Sequence, residues 1–198
     1  FWIAPADSAP PANTAHPVGQ GDLAQFLAWA REGNGLDDVS PLPVSARSVR
    51  AQQAGMLAVT LELVRGFNKA DWQRRPNPES WSPTEIVCHL RDVEIEVNLP
   101  RLRRVLEEAN PFISAIDSDR WAEERDYQSQ CGRAALADFA EARRETLALL
   151  DSLSEADWKR PARHAIFGPT TLQELVTFTN EHDRLHLRQM RENISITK

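Results

Sequence analysis

The chain has 198 residues, 41% hydrophobic and 26% charged, with a formal net charge of -6 at pH 7. That length holds one domain with a real core and an appendage, and an acidic balance with Lys and Arg dispersed among the acids offers no basic field for nucleic acid. No apolar run approaches the ~18 residues of a membrane-spanning helix, and Phe1-Trp2-Ile3 is too short for a signal-peptide core, so the cytoplasm is the expected compartment.

Residues 1–43 are rich in Pro, Ala, Gly and Asp and read as a loop-rich N-terminal extension. Within it one short helix is expected, from Asp22 as N-cap through Phe26, Leu27 and Trp29 to Gly33-Asn34-Gly35, and His16 reads as solvated. Residues 44–198 form the domain proper. Val49, Gln53, Met56, Thr60, Leu63 and Phe67 recur at spacings of three and four, predicting a bundle helix over 45–67. A loop with Asp71-Trp72, Pro76 and Pro78 follows. Ser82-Pro83-Thr84-Glu85 then supplies an N-cap, a proline at the first helical position and a capping-box acid. The second helix puts Ile86, His89, Leu90, Val93 and Val97 on one face, bends at Pro100 and ends near Asn110-Pro111.

The stretch 111–131, with Trp121, Tyr127 and many charges, is expected to cross the bundle or its rim without forming a strand. A third helix over 132–150 directs Leu136, Phe139, Ala140, Leu147 and Leu150 inward, and a fourth opens at Gly168-Pro169-Thr170 with Leu172, Leu175, Thr179, His182, His186 and Gln189 along its stripe. The chain also resembles itself. Ala70-Asp71-Trp72 recurs as Ala156-Asp157-Trp158, Arg74 as Arg160, and Trp81-Ser82-Pro83-Thr84 as Phe167-Gly168-Pro169-Thr170, all at one constant offset. The expected fold is therefore all-α, a four-helix bundle with a pseudo-twofold repeat of helical hairpins, each closed by a loop tryptophan.

Chemistry concentrates near the end of the last helix. His182 and His186 lie one turn apart and leave the same face, so both can close on one divalent ion, and His89 on the second helix is the best third ligand. Three neutral imidazoles suit Zn, Ni or Fe and leave coordination positions open. The plainer reading makes His182 and His186 partly buried residues satisfied by polar neighbours. Cys88 and Cys131 lack CxxC spacing, which speaks against a cysteine zinc site, and Cys88 is expected to pack within its helix. Asp92, one turn after His89, could orient an imidazole, act as a base or carry surface charge, whereas Asp183 reads as surface charge. His164 could line a pocket mouth or hold its loop. Arg143 falls on the apolar stripe of the third helix and needs a carboxylate; of Asp92, Glu94 and Glu96, Glu96 is the expected partner.

Trp81-Ser82-Pro83-Thr84-Glu85-Ile86 leading to His89-Leu90-Arg91-Asp92, then Phe139 to Arg143, Asp157-Trp158, His164, Gly168 and His182-Asp183-Arg184-Leu185-His186-Leu187-Arg188-Gln189, resembles in that order the DinB-like superfamily. The resemblance covers roughly residues 45–192. It implies a four-helix bundle with a three-histidine divalent metal site at His89, His182 and His186. Some relatives are thiol-dependent transferases or isomerases that use low-molecular-weight thiols, others are described as hydrolases, and many have no known activity. The expected function is thus that of a metal-dependent thiol transferase or hydrolase acting on a small molecule, with Asp92 and His164 as candidate catalytic residues, a low-molecular-weight thiol as candidate co-substrate and a homodimer as candidate assembly. The alternative is a non-catalytic, stress-associated metal-binding scaffold. A closed coordination sphere or a filled pocket would favour the scaffold, and an open concave site the enzyme.

Overall fold

Serine and proline at one boundary set the frame of the bundle. Ser82 caps helix α3 (Pro83–Val93) through a reciprocal box, its Oγ accepting from the Glu85 N–H while the Glu85 carboxylate accepts from the Ser82 N–H at 2.8 Å. Arg75 clamps the same carboxylate. This is the capping predicted from sequence, and it fixes where the helix carrying His89 begins.

The computed structural model describes residues 45–118 and 120–195. The expected extension at 1–43, with its short helix and His16, lies outside the described residues. Four long helical segments form the bundle: α1 (Ala46–Leu63), α3 continued by a π-turn (Glu94–Asn98) and α4 (Leu99–Glu107), then α6 (Gly132–Asp151) and α8 (Leu172–Ser195). Short helices α2 (Lys69–Gln73), α5 (Trp121–Glu124) and α7 (Glu155–Trp158) sit in the connections. The bend expected at Pro100 takes the form of the π-turn before it. Pro100 has no N–H to give, and the Leu99 N–H already reaches back five residues to the Glu94 carbonyl.

Two apolar cores occupy the two ends of the bundle. One gathers Leu57, Val64, Trp72, Ile86, Leu90, Phe139 and Met190; the other gathers Val49, Leu102, Val105, Leu150, Trp158, Leu172 and Val176. Following each helix from one core to the other gives its direction. α1 and α8 run the same way and pack together, as do α3–α4 and α6, while each sequential hairpin is antiparallel. The order up, down, down, up forces the connection between α4 and α6 to travel the length of the bundle. It also places Trp72 over one end and Trp158 over the other. Both tryptophans are buried on short helices with the same capping box, Asn68 with Asp71 and Ser154 with Asp157, so the repeat seen in sequence is a repeat of local structure.

Three expectations need correction. The stretch 111–131 does contribute a strand: β1 (Phe112–Ile113) pairs in parallel with β2 (Pro161–His164), which pairs antiparallel with β3 (Gly168–Thr171). Gly168-Pro169-Thr170 consequently forms β3 and does not open the last helix. That helix starts at Leu172 behind an unread capping box, in which Thr171 Oγ1 accepts from the Glu174 N–H and Glu174 accepts from the Thr171 N–H. Finally, the first helix ends at Leu63, short of Phe67, and its buried stripe is Val49, Gln53, Leu57 and Thr60, with Met56 at its edge.

Candidate metal centre

Between the two cores lies a polar layer to which every long helix contributes: Gln53 from α1, Glu94 and Asn98 from the π-turn, Arg143 and Thr146 from α6, Asn180 and Asp183 from α8. The three histidines stand beside it. His89 projects from the middle of α3 and is 1% exposed, His186 is buried, and His182 is partly open, with 31% of its side chain accessible. Their Nε2 atoms converge, His182 Nε2 lying 3.1 Å from that of His89 and 3.2 Å from that of His186.

Neutral imidazoles have no reason to aim three Nε2 atoms at one point, because the lone pairs repel and at most one hydrogen bond satisfies any pair. Nitrogens held at ~2.0–2.1 Å from one ion stand about 3.3 Å apart in a tetrahedral arrangement and about 2.9 Å apart on an octahedral face. The observed separations fall between these values. Among the described residues His89, His182 and His186 are the group that could hold a metal. The remaining ring nitrogens agree with this orientation. Gln189 Oε1 lies 2.8 Å from His186 Nδ1, which fixes the proton there and leaves Nε2 as a lone pair. His182 Nδ1 faces Asp183 Oδ1 at 3.6 Å, longer than a hydrogen bond.

The electrostatics keep His89 and His186 neutral. Burial, with the neighbouring rings of His186 and His182, drives His89 down to about 3, and burial with His182 drives His186 down to about 4. Neutral imidazole is the form that ligates.

Asp183 is a correction. It is 2% exposed, with Oδ2 accepting from Arg143 Nη1 at 2.6 Å. Burial raises its carboxyl, but the Arg143 charge and hydrogen bond override that and hold it below the usual carboxylate range. The buried seam of α8 runs through Leu172, Val176, Asn180, Asp183, Leu187 and Met190, which puts Asp183 at its centre and His182 at the edge facing the opening. The partner of Arg143 is also corrected. Its Nε and Nη2 make a two-pronged contact with Glu94 at 2.9 and 2.8 Å, and Glu96 pairs with Arg125. Two residues along a helix are about 200° apart, so Glu94 turns inward and Glu96 outward. Thr146 and Asn98 donate to Glu94 as well, so this buried carboxylate is fully engaged.

Asp92 is saturated by Arg91, Arg125 and Tyr127, which donate at 2.6, 2.7 and 2.7 Å. None of these partners is a histidine, and the carboxylate ties the α5 region to α3. Cys88 is fully buried, as its expected packing role requires, and burial first of all raises its thiol to about 11. His164 stands apart from the trio at the end of β2. Its Nδ1 accepts from the Ile166 and Phe167 N–H groups at 3.2 and 3.4 Å, so it does hold the turn. It also lines a cavity of about 230 Å³ that reaches His182. On the other side, His186 and Gln189 border a cleft of about 470 Å³ with Trp81, Glu79, Glu192 and Asn193. The Trp81 ring lies parallel to that of His186 with centroids 5.7 Å apart. Sequence reasoning missed Glu94, Trp81 and Gln189 as members of the site's surroundings. Gln189, three residues after His186, carried a readable signal as an i, i+3 partner.

Comparison with known proteins bears on the fold and the family. A solved structure of YfiT from Bacillus subtilis, described as a probable metal-dependent hydrolase with an unusual four-helix bundle topology, superposes with a TM-score of 0.67 at 21% identity, covering 78% of this chain and 88% of that one. YuaE of Bacillus subtilis (strain 168), an uncharacterized protein, is 24% identical over 140 residues, 65% of this chain and 86% of its own length. The profile of the DinB superfamily matches residues 54–190, which take in most of the bundle and all three histidines, and the chain belongs to that superfamily.

Proposed function

We propose that this protein binds one divalent metal ion through His89, His182 and His186 and uses it to carry out a reaction on a small molecule. The observation that carries this reading is the convergence of three Nε2 atoms, two pairs of which lie 3.1 and 3.2 Å apart, on a site open on two sides. Three ligands leave positions free on the ion, which then supplies Lewis acidity that lowers the pKa of a water or thiol bound there. The chain's own residues do the rest. Gln189 sets the tautomer of His186, and the Arg143–Asp183 pair stands behind His182.

Two clefts of different character meet the histidines, an apolar one at His182 and a polar one at His186. That pairing favours transfer between two small molecules, one of them a polar low-molecular-weight thiol in the cleft of Glu79, Gln189 and Glu192. Hydrolysis is the second reading, supported by the fold likeness to YfiT. A non-catalytic scaffold is disfavoured by the accessible His182 edge.

Elemental analysis of protein purified without a histidine tag tests the reading. About one equivalent of a divalent transition metal is expected, lost in His186→Ala, with turnover in a screen of thiols paired with electrophiles and of esters and amides that disappears on chelation and returns on reloading. Less than a tenth of an equivalent after reloading with Zn, Ni or Fe would overturn it.

A further inference from the structure

The cavity beside His182 has a chemistry of its own. Its walls are largely apolar, built from Val97, Leu102, Leu175 and Phe178, and Ile166 and Phe167 at its mouth are 71% and 52% exposed. Phe167 and Phe178 pack with centroids 4.0 Å apart. None of the described lining residues is acidic. In the wall of this apolar space the fold places two donors with no anionic partner among the described residues. Arg101 donates Nη2 to the Ser114 carbonyl at 2.5 Å and has no carboxylate partner among the described residues. Burial lowers its pKa. His164 is 6% exposed, and because its Nδ1 accepts from two backbone N–H groups, its Nε2 carries the proton. That Nε2 has no hydrogen-bond partner among the described residues. The positive charge of Arg101 also helps keep His164 neutral, behind burial as the main cause, and both groups line the same cavity.

A half-buried guanidinium with no carboxylate partner and a buried imidazole N–H with no acceptor among the described residues, both in the wall of an apolar cavity, favour the arrival of an anion. We infer that this cavity binds a small carboxylic acid with an apolar or aromatic body, its carboxylate held by Arg101 and the His164 Nε2–H and its body between Phe178, Leu175 and Val97. A single fixed cation suits a monoanion, and the planar fork of arginine suits a carboxylate. The volume of about 230 Å³ lies below the ~300–1,000 Å³ of drug-sized sites, so the ligand is small. Its role as substrate rests on the metal-centre reading above, because His182 closes the same cavity. Its binding does not.

The test compares 4-phenylbutanoate with its neutral isostere 4-phenylbutanamide by calorimetric titration, on metal-loaded and on chelator-stripped protein. The acid is expected to bind about tenfold or more tightly than the amide in both forms, as charge-assisted hydrogen bonds allow. Arg101→Gln should bring the two to parity, and Arg101→Lys should restore part of the preference. Equal binding of acid and amide by the native protein, or no binding of either at millimolar concentration, would overturn the inference without any variant. So would a preference that survives Arg101→Gln but vanishes on chelation, since the metal would then be holding the carboxylate. Acid preference in a protein that takes up no metal would refute the proposed function and leave this site standing.

Discussion

Arg143 Nη1 donates to Asp183 Oδ2 at 2.6 Å, and the other oxygen of that carboxylate faces His182 Nδ1 at 3.6 Å. The same guanidinium grips Glu94, so one fully buried cation joins α3 through its π-turn, α6 and α8 at mid-height in the bundle. Removing it leaves two carboxylates buried without their counter-charge. Arg143→Ala is expected to cost about 3–5 kcal/mol in urea unfolding, and Arg143→Met together with Glu94→Gln should cost less than the single change.

Asp183→Asn keeps an acceptor for Arg143, which retains Glu94, but removes the charge behind His182. Metal affinity, read by competition with a chromophoric chelator, should fall about 10–100-fold, while the unfolding midpoint moves less than for Arg143→Ala. Equal losses in both measurements would make Asp183 a stability residue only.

The neutral histidines give the metal-stripped protein a pH signature. His89 and His186 take up protons near 6.5 in the unfolded chain but only at about 3 and about 4 when folded. Between those values the unfolded state binds more protons. Stability is therefore fully present above pH 6.5 and falls as the pH drops towards 4, each ring contributing a slope of up to ~1.4 kcal/mol per pH unit. Urea titrations from pH 7.5 to pH 4.5 should show the fall, and His89→Gln should flatten it.

The two apolar cores hold the bundle without an ion. Chelation is expected to lower the melting temperature but leave helical circular dichroism at 25 °C unchanged, and loading with metal at about 100 times its dissociation constant should restore about 2.7 kcal/mol. His186→Ala should abolish that gain while remaining folded. Loss of helical signal on chelation alone would mark the ion as a structural part of the fold.

Gly132, the first residue of α6, sits against the Trp72 ring, and a Cβ there would also come within 2.8 Å of Thr84 Oγ1. Thr84 donates to the Trp72 carbonyl, so neither neighbour is free to yield. Gly132→Ala should destabilise by about 1–3 kcal/mol in spite of its better helix propensity, whereas Gly55→Ala, with open space around it, should stabilise.

Much of this was legible in the sequence because it is local. The Ser82-Pro83-Thr84-Glu85 cap, the spacing of His182 and His186, and the two Asp-Trp helices each depend on a few neighbouring residues. Asp183 was misread because the apolar stripe of α8 is interrupted by polar residues at its centre, so the periodicity is followed more easily through His182 at the edge. Glu94 and Glu96 were interchangeable by composition, and only the rotation of the helix against Arg143 separates them. The pairing of β1 with β2 joins two-residue and four-residue strands far apart in the chain, which no local pattern announces. Arg101 and His164 likewise come to one cavity only through the tertiary fold.

The up, down, down, up order has a consequence for how the histidines find one another. The first long helix docks on the last, with Asn180 donating to the Val49 carbonyl across 131 residues, and His89 meets His182 across 93. In the unfolded chain only His182 and His186 are close enough to chelate, and bringing in His89 means closing that long loop against its entropy. An ion would therefore find two weak donors before folding and three afterwards. Bound to the finished bundle, it ties the middle of α3 to α8 and opposes the undocking of the last helix, the opening that would break both the seam with α1 and the site itself.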